Sequence, residues 1–204
     1  MKKIALLLVI ISILAGCSCS NKTVDILNYP VPKAGEIKTN LHIKGIYQRL
    51  INQQPEQSEI AKLLKLESGD VYYLAANGKR YMFPTQTTFK SWFGDYDVNK
   101  IKTLTIEEMY QTQLGGNIFI KPYSLLKTET DNNTYFVDLN GQIRTVNSTV
   151  LLNEVYGDKW QEQVIDLPNN IFTNYQYGPI INTYSDFPII APNLTIETSQ
   201  FYVQ

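Results

Sequence analysis

The sequence predicts an α+β fold made of two tandem β-hairpin–helix–strand units of about 60 residues, packed as one or two small domains. An internal repeat is the first observation: residues 71–118 match residues 134–181 without a gap, at a constant offset of 63. The second is an Asn-Gly pair between two β-prone runs in each unit, a strong hairpin signal. The third is an apolar pattern at spacings of three and four after each hairpin, which is typical of a helix packed on a sheet.

The identical residues of the repeat are spread along its whole length rather than grouped in one motif. This distribution indicates a duplicated structural unit. The identical pairs are Tyr72/Tyr135, Asn77/Asn140, Gly78/Gly141, Gly94/Gly157, Asp95/Asp158, Leu104/Leu167, Gly115/Gly178 and Ile118/Ile181.

Each unit is expected to begin with a three-stranded meander, because β-prone residues precede the hairpin at 62–67 and 125–129. With Asn77-Gly78 as a two-residue loop, Leu74 would lie opposite Tyr81. The same loop in the second unit would place Val137 opposite Arg144.

A helix is expected to follow each hairpin. Thr85 and Ser148 are suited to begin these helices as N-caps, and Gly94 and Gly157 are suited to end them. A short strand and a helical turn come next in each unit. In the first unit Gly115-Gly116 then leads into a last predicted strand, at 117–120.

Composition excludes several classes of protein. The chain has 204 residues, 44% of them apolar, which is too many for a disordered chain. Its 18 basic and 19 acidic residues give a net charge of −1, which argues against nucleic acid as a partner. One His and two Cys exclude a disulfide scaffold and a Cys/His metal site, and no cofactor is expected.

The N-terminus has the features of an export signal. Two lysines precede the apolar run Ile4–Leu14, which is shorter than the roughly 20 residues of a membrane-spanning helix. The run ends at Leu14-Ala15-Gly16-Cys17, which resembles the lipobox of bacterial lipoproteins. The resemblance implies cleavage before Cys17 and lipidation of its thiol, which would anchor an exported protein to the cell membrane or the outer membrane. The alternative is an ordinary secretory signal that carries a chance Cys.

The chain is accordingly divided into six parts by composition and by the repeat. The lead-in carries an amphipathic helix pattern from Leu41 to Ile51. The parts are 1–16, signal peptide; 17–40, lipidated tether; 41–61, helical lead-in; 62–124, repeat unit 1; 125–181, repeat unit 2; and 182–204, closing segment or tail.

The repeat itself also resembles a known sequence. The strings Val71-Tyr72-Tyr73-Leu74, Leu114-Gly115-Gly116-Asn117 and Tyr156-Gly157-Asp158 are similar to an uncharacterised repeat of exported surface proteins from candidate-phylum bacteria. The resemblance covers residues 62–181 and implies a surface-associated module. Thr145 departs from it, because the repeat usually has an aromatic residue there.

No set of residues predicts catalysis. A nucleophile–His–acid arrangement would have to use His42, which lies outside the repeat, and no phosphate-binding glycine loop is present. The sequence therefore predicts a protein that is not an enzyme and has no catalytic or metal-binding residues. The alternative from another class is a cell-wall hydrolase that uses two carboxylates, for which Glu107, Glu108, Asp95 and Asp158 are the candidates.

Aromatic residues carry the remaining functional signal: 14 Tyr, 8 Phe and 2 Trp. Exposed rings stack on sugars, and Tyr adds a hydrogen-bonding hydroxyl. The candidate ligand contacts are Tyr81, Tyr96, Tyr156 and Trp160, the last because it aligns with polar Asp97. The leading hypothesis is a membrane-anchored envelope lipoprotein that binds a cell-wall or surface glycan, or a protein partner. A structural spacer of the envelope is a further alternative.

Overall fold

Two five-stranded sheets make up the structure, one for each copy of the repeat. The computed structural model describes Tyr47, residues 51–188 and residues 194–199. These residues belong to one compact unit, and the two sheets with their helices confirm the α+β prediction. The predicted signal peptide, Cys17 and the tether lie outside the described residues.

In the first sheet, an antiparallel meander is flanked by one parallel strand on each side, in the order β4-β1-β2-β3-β5. The strands are β1 (Leu63–Leu66), β2 (Val71–Leu74), β3 (Arg80–Met82), β4 (Lys102–Leu104) and β5 (Leu114–Asn117). The helices are α1 (Gln57–Ile60), α2 (Gln86–Phe93) and α3 (Ile106–Tyr110), with a 3-10 helix at Val98–Lys100.

The second sheet repeats this arrangement, in the order β9-β6-β7-β8-β10. Its strands are β6 (Leu125–Thr128), β7 (Asp131–Val137), β8 (Gln142–Thr145), β9 (Val164–Asp166) and β10 (Gln176–Tyr177). The helices are α4 (Thr149–Tyr156) and α5 (Asn169–Phe172), with 3-10 helices at Trp160–Gln163 and Tyr184–Asp186. Strand order and strand direction are therefore duplicated together with the sequence.

The ends of the two longer helices agree with the prediction. The backbone N–H of Thr88 donates to the hydroxyl of Thr85 over 3.0 Å, which caps α2. Ser148 caps α4 by accepting from the backbone N–H two residues later, over 3.2 Å. Gly94 and Gly157 end these helices with φ of 58° and 90°, values that favour glycine.

The predicted pairing within the hairpins is wrong by one residue. Leu74 lies opposite Arg80, not Tyr81, and the backbone N–H of Ala75 donates to the carbonyl of Lys79 over 2.9 Å. The loop thus has three residues and ends with the glycine of the Asn-Gly pair at φ 77°, a geometry that inserts a bulge after a type I turn. The second hairpin is shifted in the same way, so that Val137 lies opposite Ile143 rather than Arg144.

The last strand of the first unit also differs from the prediction. Strand β5 begins at Leu114 and includes both glycines instead of following them. Gly115 packs directly against the ring of Tyr81, so closely that a Cβ at this position would come within 2.3 Å of that ring. The glycine therefore belongs to the strand, where it permits close packing.

Each sheet is buried on both faces. Helices α2 and α4 cover one face, where Phe89 and Trp92 pack in the first unit and Leu152 and Val155 in the second. The short helices α3 and α5 cover the opposite face, which we call the outer face. The outer face of the second sheet is lined by Leu126, Tyr135, Val137, Ile143, Phe172 and Tyr175.

The segments that flank the repeat pack against these cores where they are described. Of the predicted lead-in helix, Tyr47 is helical, and its ring lies between those of Tyr123, Phe136 and Tyr156. After the repeat, Ile196 is buried in the core of the first unit. Within the described part of the chain, no helix has the length and apolar character needed to cross a bilayer.

Candidate functional site

Three of the four predicted ligand contacts are buried, which corrects the prediction. Tyr81 is 4%, Tyr156 1% and Trp160 8% exposed, so none of these rings offers a face to a large ligand. Tyr96 is half-buried and packs against the core of the first unit.

The burial of Trp160 and of Tyr156 has a local cause in each case. The 3-10 helices of the two units begin at Val98 and at Trp160, so Trp160 takes the inward place of Val98 rather than that of exposed Asp97. The hydroxyl of Tyr156 donates to the carbonyl of Tyr123 inside the second core. The two 3-10 helices start 62 residues apart, whereas the repeat aligns at an offset of 63, so the sequence alignment pairs Trp160 with the wrong residue.

An exposed ring that sequence reasoning missed lies on the second sheet. Tyr177, on edge strand β10, is 64% exposed. One side of its ring is held by Tyr135 and Phe172, with centroids 5.9 and 6.3 Å away in edge-to-face contacts. Since both neighbours are buried, the outward side of Tyr177 has a fixed orientation.

Polar groups lie beside the two rings that hold Tyr177. We use the name Tyr177 face for the exposed ring of Tyr177 together with its buried supports Tyr135 and Phe172 and the polar residues Asp131 and Asn169. The hydroxyl of Tyr135 donates to Oδ2 of Asp131, and the backbone N–H of Asn133 donates to Oδ1 over 2.8 Å. The hydroxyl of Thr130 donates to Oδ1 of Asn169 over 3.1 Å, which fixes the orientation of that amide.

These hydrogen bonds set the charge of the Tyr177 face. The Tyr135 hydroxyl, followed by the backbone N–H of Asn133, lowers the pKa of Asp131, so its carboxylate is ionised at neutral pH. Burial, together with the hydrogen bond to Asp131, raises the pKa of Tyr135 to about 12, so its hydroxyl remains a donor. The face thus combines an apolar ring with a fixed anionic acceptor.

The first unit lacks this combination at the equivalent positions. Leu114 stands where the second unit has Tyr177, and Met109 stands at the place of Phe172. Trp160 is a candidate ligand contact in the sequence because it is aromatic in only one copy of the repeat. Tyr177 also meets this condition, because Leu114 stands at its place in the first unit.

A cleft of about 340 Å³ lies elsewhere, lined by residues 53–56, Glu59, Trp92, Phe93, Lys121 and residues 194–196. Lys121 is 4% exposed, and burial lowers the pKa of its amine to about 8. Its Nζ donates to the carbonyl of Ile51 over 3.3 Å. Since Ile51 is helical and Asn52 is not, this amine binds where a helix ends, a common structural role for lysine.

Two carboxylates beside this cleft are already engaged in ionic and hydrogen bonds. The Nζ of Lys62 lies 3.0 Å from Glu59 and 3.3 Å from Glu197. The buried hydroxyl of Tyr73 donates to the other oxygen of Glu59 over 2.9 Å, and the backbone N–H of Ala76 donates to Glu197 over 2.8 Å. This Tyr73 network attaches the segment around Glu197 to the first sheet, and burial with the two carboxylates raises the pKa of Tyr73 far above its usual range.

Two of the four carboxylates proposed for a hydrolase from the sequence have structural partners as well. Glu108 accepts from the backbone N–H of Thr105 over 2.8 Å and completes the capping box of α3. Asp95 forms an exposed ion pair with Lys90 at 2.8 Å. Among the described residues, no group of three or more His, Cys, Asp or Glu side chains is placed to hold a metal ion.

Comparison with known proteins adds no relative to this description. No protein-family model, curated protein or solved structure matches the chain.

Proposed function

We propose that the protein is an exported lipoprotein, anchored to the cell membrane or the outer membrane through acylated Cys17, and that its folded part is a non-catalytic module that binds an envelope glycan. The anchor is supported by the resemblance of Leu14-Ala15-Gly16-Cys17 to a lipobox. The ligand is supported by the Tyr177 face.

The observation that carries the proposal is the exposed yet fixed ring of Tyr177. A ring held by Tyr135 and Phe172 loses little conformational freedom when a ligand stacks on it. The C–H faces of sugar rings suit this surface, and the neighbouring Asp131 accepts hydrogen bonds from sugar hydroxyls. Aromatic and polar groups of this kind orient a glycan without any catalytic group.

A sedimentation assay tests glycan binding. The mature chain carrying Cys17→Ser is mixed with purified cell-wall sacculi, or with surface polysaccharide immobilised on beads, and then centrifuged. We expect co-sedimentation with one of the two polymers and a loss of about tenfold in affinity for Tyr177→Ala, the equivalent of about 1.4 kcal/mol.

The matched control is Leu114→Ala, at the equivalent and 50% exposed position of the first unit, which should leave binding unchanged. Equal losses for both variants would contradict the assignment of the site. Failure to bind either polymer would contradict glycan binding and would favour a protein partner or a structural spacer.

Cell fractionation tests the anchor independently. The Cys17→Ser variant should move from the membrane fraction to the soluble fraction, because it has no thiol for the lipid at this position. The Cys19→Ser variant is the control and should stay with the membranes. Retention of the Cys17→Ser variant in the membrane fraction would contradict lipid anchoring, whatever the outcome for the glycan.

A further inference from the structure

We propose that the Tyr177 face distinguishes sugars by charge: it favours amino sugars over neutral sugars and neutral sugars over acidic ones, and Asp131 is the residue that discriminates. This inference rests on the proposed glycan binding and adds a ligand class to it. Three properties of Asp131 support this selectivity: its position, its remaining hydrogen-bonding capacity and the charges around it.

Tyr135 links the carboxylate to the exposed ring of Tyr177. Between Asp131 and Tyr135 the pairing of β7 with β6 is irregular, and the Tyr135 side chain reaches back along the strand to Asp131. The ring of Tyr135 contacts that of Tyr177, and its hydroxyl donates to Asp131. The ring of Tyr135 and one hydrogen bond thus lie between Tyr177 and the carboxylate, so a glycan stacked on Tyr177 meets Asp131 only where it extends past Tyr135.

The carboxylate retains capacity for a ligand. An ionised carboxylate accepts about four hydrogen bonds and donates none. Tyr135 and the backbone of Asn133 supply one bond to each oxygen of Asp131, and the side chain of Asn133 is a further partner. The capacity that remains accepts from a hydroxyl group and, more strongly, from an ammonium group. A uronic acid or a phosphate would instead place a negative charge beside a negative charge.

The surrounding charges act in the same direction. Exposed Glu129 lies in the turn between β6 and β7, two residues from Asp131. The nearby cation Lys127 is paired with Asp166 at 3.1 Å. Since Lys127 is already paired with Asp166, it does not offset Glu129 and Asp131, which leaves the field around Asp131 negative.

Titration calorimetry with three hexasaccharides tests the selection on the mature chain carrying Cys17→Ser. The probes are β-1,4-linked glucosamine, its N-acetylated form and oligogalacturonate. We expect the amino form to bind about fivefold more tightly than the acetylated form at low salt, and oligogalacturonate to bind most weakly. In Asp131→Asn, which keeps an acceptor for the Tyr135 hydroxyl, the preference for the amino form should fall below about twofold.

Two further variants control for local structure. Asp131→Ser removes the charge but keeps a small polar side chain, and it should lose the preference in the same way. Lys65→Gln changes a charge on the first sheet and should keep it. Equal binding of the amino and acetylated forms, or a preference that persists in Asp131→Asn, would overturn the charge selection while leaving glycan binding intact. If the protein binds none of the hexasaccharides and neither polymer, both proposals are wrong.

Discussion

Replacing Gly115 with Ala tests whether the glycine shared by the two units sets the distance between an edge strand and its neighbour. A Cβ at residue 115 would lie 2.3 Å from Cζ and 2.4 Å from Cε1 of Tyr81, whereas packed carbon atoms are about 3.5–4.0 Å apart. The ring must therefore move by more than about 1 Å. Its freedom to do so is limited, because Tyr81 is buried and its hydroxyl accepts from Nδ2 of Asn77 over 2.8 Å. Overpacking of this kind costs about 1–3 kcal/mol.

Gly178→Ala is the matched comparison, since it changes the equivalent glycine of the second unit. Its nearest contacts would be Cγ of Arg144 and Oε1 of Gln142, both at 2.9 Å and both on flexible side chains. These atoms can move aside, so we expect a loss of less than about 1 kcal/mol. Urea unfolding followed by tryptophan fluorescence gives both free energies, with Trp92 reporting from the first unit and Trp160 from the second. Equal losses, or no loss for Gly115→Ala, would refute the packing argument.

Three other changes probe the buried polar groups and the first hairpin. Tyr73→Phe removes the hydroxyl that donates to Glu59 and should lower the free energy of unfolding by about 1.5–3 kcal/mol; an unchanged urea midpoint would show that the Tyr73 network does not stabilise the fold. Burial lowers the pKa of Lys121 to about 8 in the folded state, so the unfolded state binds more protons above that pH and stability should rise from about pH 8 to about pH 9.5. Lys121→Met should remove this rise, and parallel pH profiles of the two proteins would contradict it. Gly78→Val places a β-branched residue at φ 77° and should cost more than about 1 kcal/mol; an unchanged melting temperature would argue against the turn.

The parts of the fold that depend on neighbouring residues could be predicted from the sequence. The cap of α2 requires only a hydroxyl at Thr85 and a backbone N–H three residues later, and the end of that helix requires only Gly94. The repeat added long-range information, because a second copy with the same spacing implies the same sheet. These features therefore agree between sequence and structure.

The predictions that were wrong concern features that tertiary packing determines. The choice between a two-residue and a three-residue hairpin loop shifts every pair by one position, although both loops accept Asn-Gly. Burial of Trp160 follows from the start of one 3-10 helix, which no alignment of the two copies specifies. The exposure of Tyr177 likewise depends on its place in an edge strand of two residues, too short to give a pattern in the sequence.

The duplicated strand order has a consequence for how the chain folds. Leu63 pairs with Tyr73 within one meander, whereas Leu64 pairs with Lys102, 38 residues away on the parallel strand β4. Closing the longer loop costs more entropy, so we expect each meander to form first and its outer strands to join later. At that stage β4 and β9 compete for equivalent edges. If β4 joined β6, Lys102 would occupy the place of Ile165, which packs against the apolar outer face of the second sheet. The divergence of the two copies at this position thus favours correct assembly over exchange between the repeats.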